Sequence, residues 1–224
     1  MLGNRILICI FVLLAIVIVG WTTSSVAYEQ GDWIIRGGAI NVDPSKKSDS
    51  IDIASLTTLS GVEADNDTQL GVSGTYLLTD TWALELLAVT PFKPSLSIKG
   101  ADITAGSTKV LPPTLTLAWY PKGGKNVDWQ PYVGVGINYT HFWDEKINVE
   151  LETALGMITE PVTGSTDAVS ATLDLDDSWG FAAHAGFDYL INDKWGINAA
   201  VWYIQIEAKA TIGTGIADVK FNAK

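Results

Sequence analysis

Cysteine is almost missing from this chain: of 224 residues only Cys9 is one. It lies inside an N-terminal apolar run, so whatever follows that run has no disulfide framework and no thiol chemistry. Basic residues are scarce, 14 against 25 acidic ones, for a formal net charge of -11. That balance argues against a nucleic-acid partner, because phosphate binding needs clustered Lys and Arg. The acidic residues fall mostly in polar stretches between apolar segments and read as solvated loop charge. An acidic rim facing divalent cations or charged lipid headgroups is the alternative. Histidine is limited to His141 and His184, and no His/Cys/Asp spacing of a metal site occurs. Long apolar runs are lacking too. Only one exists, and from Tyr28 onward no stretch holds a helical period or reaches transmembrane-helix length. Yet 47% of the residues are hydrophobic, so the rest must be dispersed along the chain.

The single run has the form of an export signal. Arg5 supplies a positive start, Ile6 to Val19 an apolar stretch, and Ser25-Val26-Ala27 the small residues a signal peptidase reads. As a helix the apolar stretch would rise only ~21 Å, short of a ~30 Å hydrocarbon core. Cleavage before Tyr28 is therefore expected, with residues 1–27 the signal peptide and 28–224 the mature domain. Cys9 sits within the apolar stretch rather than at its end, which argues against a lipoprotein.

The mature chain alternates with a period of two, broken by Gly, Asn, Asp and Pro clusters. From Asp177 to Asn192 the odd positions are Trp179, Phe181, Ala183, Ala185, Phe187, Tyr189 and Ile191, against Gly180, Ala182, His184, Gly186, Asp188 and Leu190. The same split recurs at Thr68–Leu78, Pro113–Tyr120 and Pro131–Trp143. Further strands are expected at Asp32–Val42, Thr81–Phe92 and Trp195–Lys209, seven in all. Connections alternate in length. Those at 79–81, 121–128 and 192–194 are short, while 43–67, 93–107 and 144–176 are long, the last with room for a short helix around Glu150–Gly156. Short turns at one end and long loops at the other fit an antiparallel up-and-down transmembrane β-barrel in an outer membrane, short turns periplasmic. Trp33, Trp82, Trp119, Trp129 and Trp195 lie by the short turns, and Phe92, Phe142, Trp143 and Tyr203 by the long loops, as two interfacial girdles.

A soluble lipocalin-like barrel also alternates, but its large apolar residues point inward and its outside is charged. Here the apolar face lacks Lys, Glu and Arg, and the opposite face is rich in Gly, Ser, Thr and Asn. A narrow barrel has room only for the small set inside. The membrane arrangement is favoured on that ground.

Alternation then assigns the lumen. Arg36, Glu85, Asp188 and His184 face inward; buried charges must be paired, so Arg36 is expected to meet Glu85 and to share Asp188. The cluster serves either to brace and plug the lumen or to act in transport. Leu87 and Trp202 are also inward, yet large and apolar, and lie toward the long loops. They suit a gate for greasy solutes that excludes water, with plain lumen packing as the alternative. Pro112 and Pro113 sit within a strand, where each removes a ladder donor; a locally weak wall there would let a hydrophobic solute leave sideways. Ser73 and His184 lie on separate strands, which alone builds no catalytic pair, and a hydrolase would need an acid besides. No enzymatic chemistry and no cofactor are expected.

Several collinear stretches resemble the OmpW family of small outer-membrane barrels, which includes AlkL-type uptake proteins. They are Asn66-Asp67-Thr68-Gln69-Leu70-Gly71, Leu84-Glu85-Leu86-Leu87-Ala88-Val89-Thr90-Pro91-Phe92, Leu111-Pro112-Pro113-Thr114-Leu115, the run Pro131 to Thr140, Asp177-Ser178-Trp179-Gly180, Asp188-Tyr189-Leu190-Ile191-Asn192 and Val201-Trp202-Tyr203. The resemblance implies an eight-stranded barrel with a narrow, largely apolar lumen that admits small hydrophobic molecules. It also implies that Leu87 and Trp202 narrow that lumen. Family members end in a strand with a terminal aromatic residue that the barrel-assembly machinery reads. Here residues 217–224 would only begin such a strand, so a truncated eighth strand is expected. Outer-membrane lipids with lipopolysaccharide, the assembly machinery and small hydrophobic solutes are the expected partners. The competing expectation is a non-transporting barrel whose long loops act as receptor, adhesin or structural contact.

Overall fold

The computed structural model describes residues 11–20, 28–44, 51–53, 57–59, 61–100, 103–213 and 218–223. Period-two alternation becomes strand wherever it is clean. Trp82–Val89 buries Ala83, Glu85, Leu87 and Val89 and exposes the other four residues. Trp33–Val42 pairs with Asp67–Leu77, which pairs with Trp82–Val89, which pairs with Thr114–Trp119. From there the ladder continues to Trp129–Ile147, Ser178–Leu190 and Trp195–Ile204, every pairing antiparallel. The seven expected strands are all present.

The eighth place is filled differently from expectation. Phe11–Gly20, within the segment read as the export signal, lies antiparallel between Trp195–Ile204 and Trp33–Val42 and brings the circuit of pairings back to its start. Two unpaired edges in an apolar wall are costly, and an apolar extended segment satisfies both. Asp218–Ala223 pairs instead with Ala208–Gly213, in a three-stranded sheet completed by Thr172–Leu175.

All three expected long loops carry more order than their sequence signals. Within 93–107, Ser95–Ile98 pairs with Thr104–Leu111 on one side and Val62–Ala64 on the other. Thr104–Leu111 in turn pairs with the upper part of Trp129–Ile147. The wall thus continues past the apolar band, where neither face needs large apolar residues and alternation fades. The expected short helix runs from Val149 to Thr163, with the Asn148 side chain accepting from the Glu150 N–H and Gly164 closing it at φ 71°. Leu151 and Leu155 pack it on Ile98, Ala105 and Ile212 as a second, small core.

Exposure decides between the two barrel types. Leu70 is 68% exposed, Val135 and Ile137 55%, and Val201 51%, whereas Arg36, Glu85, Asp188 and Asn198 are buried. Greasy side chains project outward and the charged ones lie within, the reverse of a water-soluble barrel. Close strand contact requires small residues in the wall. A Cβ at Gly136 would stand 2.0 Å from the Leu115 carbonyl oxygen, and that backbone cannot recede without breaking its ladder. Gly136→Ala should lower stability by about 1–3 kcal/mol, read as a lower urea midpoint for the lipid-reconstituted protein.

Candidate lumen site

Three levels of side chains fill the lumen. At the short-turn end Arg36 is the centre. Its Nε donates to Asp188 Oδ1 at 3.0 Å and its Nη2 to Asp188 Oδ2 at 2.7 Å, a two-pronged carboxylate contact. Nη1 donates to Thr75 at 2.7 Å and Nη2 to the Tyr120 hydroxyl at 2.8 Å. Asp188 also accepts from the Tyr28 hydroxyl and from Asn198 Nδ2, each at 2.8 Å. The guanidinium lies 5.0 Å from the Tyr132 ring centre, and Tyr28, Tyr120 and Tyr132 pack ring against ring.

The expected Arg36–Glu85 pair exists, but as the lesser contact: Nη1 stands 3.5 Å from Glu85 Oε1. Asp188 is the main partner because it offers both oxygens to one edge of the guanidinium and is held there by two further donors. Alternation placed Arg36, Glu85 and Asp188 inside; it gave no ranking. It also left Tyr28, Thr75, Tyr120, Tyr132 and Asn198 out of the site. Thr75, Tyr132 and Asn198 have inward positions and were open to that reading. Tyr28 precedes the first alternating segment and carries no such signal.

The middle level holds Glu85, Thr116 and His184. Thr116 stands opposite Glu85 in the ladder, and its hydroxyl meets His184 Nε2 at 3.0 Å. The His184 ring lies flat on Trp202, centroids 4.0 Å apart at 5°. Ser73 does not bond to His184, and its hydroxyl has no hydrogen-bond partner among the described residues.

Toward the long loops the lining turns apolar. Leu87 and Trp202 are both buried, as expected, in one cluster with Ile40, Val89, Phe92 and Val110. Pro112 and Pro113 sit beside this level, although not inside a strand: Thr104–Leu111 ends before them and Thr114–Trp119 begins after them. The pairing with Trp82–Val89 stops at Thr114↔Leu87 and resumes only at the Phe92↔Val110 bridge. On the other side the Pro113 carbonyl accepts from the Tyr139 N–H and from Asn138 Nδ2. The missing N–H groups thus open the ladder on one flank only.

At the outer rim, outward of the lumen, Asp177 gathers three donors: the Tyr139 hydroxyl, His141 Nδ1 at 2.8 Å and the Phe142 N–H at 3.3 Å. Hydrogen bonds from Tyr139 and then His141 hold its carboxyl below the usual aspartate range. A depressed folded-state pKa adds stability above the unfolded value, and that contribution is lost as pH falls through the folded one. Tyr139→Phe should therefore move the Asp177 titration, followed by carboxyl-carbon NMR, back up toward the free residue. An unmoved midpoint would show that Tyr139 does not set it.

Comparison with known proteins agrees with this architecture. The OmpW family model matches residues 29–224. Outer membrane protein W of Vibrio cholerae is 42% identical over 198 residues, spanning 87% of this chain and 82% of the relative. The crystal structure of outer membrane protein OprG from Pseudomonas aeruginosa superposes with a TM-score of 0.75 at 39% identity, covering 89% of this chain and 91% of the other. AlkL, solved in DMPC lipid bilayers, shares the fold at 20% identity with a TM-score of 0.59, over 91% and 88% of the two chains. With large apolar side chains turned outward around a charged interior, and with these relatives, the chain belongs to the OmpW family of Gram-negative outer-membrane β-barrel proteins.

Proposed function

We propose that the barrel is a passive channel for small hydrophobic molecules. One observation carries the reading: an apolar level at Leu87, Trp202, Phe92 and Val110 lies on the long-loop side of an ionic floor in which Arg36 and Asp188 hold each other by two charge-assisted bonds. Apolar lining disfavours water and admits greasy solutes, since burial of their surface is favourable at about 25 cal/mol per Å². The floor offers such a solute no onward path, because entering it would break charge-assisted bonds. The interrupted ladder at Pro112 and Pro113 lies at the apolar level, and a solute leaving there passes into the lipid rather than through the floor.

Whole-cell uptake of alkanes or monoterpenes tests both parts. Leu87→Asn, which places an amide at the apolar level, should lower uptake severalfold. Replacing Pro112 and Pro113 together with valine restores two ladder donors and should close the sideways route. Unchanged uptake in the proline variant would sink the lateral exit. Unchanged uptake in both, with cell binding lost on altering the long loops, would favour the receptor or contact role.

A further inference from the structure

Between the ionic floor and the apolar level, several buried polar atoms have no hydrogen-bond partner among the described residues. They include both carboxylate oxygens of Glu85, the Ser73 hydroxyl, His184 Nδ1 and the Trp202 indole Nε1. Ser73 and Glu85 are 0% exposed, Trp202 1% and His184 5%. Buried polar groups are ordinarily satisfied, and leaving them bare costs free energy.

These atoms lie on two adjacent rungs, the middle level and the lower edge of the apolar one. Glu85 faces Thr116 across the ladder, Thr116 holds His184, and His184 stacks on Trp202. Ser73 stands opposite Leu87, the next inward residue above Glu85 on its strand. Charge makes Glu85 the odd member. One guanidinium serves two carboxylates, and Asp188 takes both of its short carboxylate contacts and accepts from two neutral donors besides. Glu85 is left with the 3.5 Å approach alone. The level therefore presents strong acceptors from one wall together with an N–H and a hydroxyl that can donate. A hydroxyl group answers both, since it donates once and accepts twice.

We propose that this level is a head-group site and that the channel takes medium-chain primary alcohols hydroxyl first. The hydroxyl donates to Glu85 and accepts from the Trp202 N–H or Ser73, while the alkyl chain lies among Leu87, Val89 and Phe92. The inference deepens the uptake reading and rests on it. An alkane would leave every one of these groups bare, and an ether could accept but could not donate to Glu85.

The test is a titration of the full chain in lipid nanodiscs, following the Trp202 indole N–H resonance, assigned with Trp202→Phe. The probes are 1-octanol and 1-methoxyheptane, which match in heavy atoms and differ in the donor. The alcohol should bind at least about tenfold tighter, the scale of one hydrogen bond to a charged group. Glu85→Met should erase the preference. Glu85→Gln, which keeps a neutral acceptor, should retain part of it, so a graded answer survives if the methionine variant does not fold. Equal affinity for alcohol and ether in the wild-type protein overturns the head-group site and leaves hydrophobic uptake standing. A full preference in the Glu85 variants overturns the role of Glu85. Failure of both probes to bind overturns the uptake reading as well.

Discussion

Arg36→Met should strongly destabilise the folded barrel. The guanidinium is fully buried and makes the two-pronged contact to Asp188, with Thr75 and Tyr120 as further partners. Removing it leaves Asp188 and Glu85 in the lumen with no cation among them. Breaking a buried pair from one side costs about 3–5 kcal/mol, because the remaining charge stays desolvated. Against a typical total stability of about 5–15 kcal/mol, that is enough to unfold a marginal protein. The unboiled protein on an SDS gel should shift from the compact to the unfolded position, and the urea midpoint in vesicles should fall. The triple variant Arg36→Met, Glu85→Gln, Asp188→Asn should recover much of the loss, since a floor without charges has none left uncompensated. A single variant as stable as the wild type would mean that the floor is hydrated and the carboxylates are not in need of Arg36.

Trp202→Ala should act on stability and on conductance in opposite directions. Trp202 is among the largest fully buried side chains, wedged between His184 and the apolar cluster around Leu87. Its removal creates a cavity and should cost about 3–5 kcal/mol. The same cavity widens the constriction that keeps water out, and hydrophobic constrictions gate by dewetting. Planar-bilayer recordings should show a larger single-channel conductance for Trp202→Ala, while Trp202→Phe, which keeps a ring over His184, should stay near the wild type. If the alanine variant conducts no better, the barrier lies elsewhere, in the ionic floor.

Those two residues also mark how far the chain could be read unaided. Inwardness was legible because alternation repeats down each strand, as it does from Ser178 to Leu190. Which inward residues meet across the lumen was not. Contact depends on how far each strand is staggered around the circuit, and alternation along one strand carries no information about its stagger against a distant one. So Arg36 and Asp188 were both placed inside, while their dominance over Arg36–Glu85 emerged only from the structure. Thr104–Leu111 carries no alternation signal because it stands above the apolar band, with Thr, Ser and Lys where a lipid-facing segment would show large apolar groups. Pro112 and Pro113 divide two strands rather than lying inside one as alternation alone suggests, since neither can donate to a ladder. Nothing in the pattern around Tyr28 marks it beyond its place after the expected cleavage site. It is a partner of Asp188, supplied by an irregular segment that tucks under the floor.

The aromatic residues on the outer face fix the membrane this protein suits. Trp129 and Tyr139 lie ten positions apart on one outward face of one strand, a span of about 34 Å along the chain. Tilted by about 45°, it projects to roughly 24 Å, a little less than an average hydrocarbon core. Bilayers of short-chain lipids should accept it with minimal deformation, and vesicles of progressively longer acyl chains should slow insertion as mismatch grows. The spacing of two rings thereby acts as a ruler for lipid thickness.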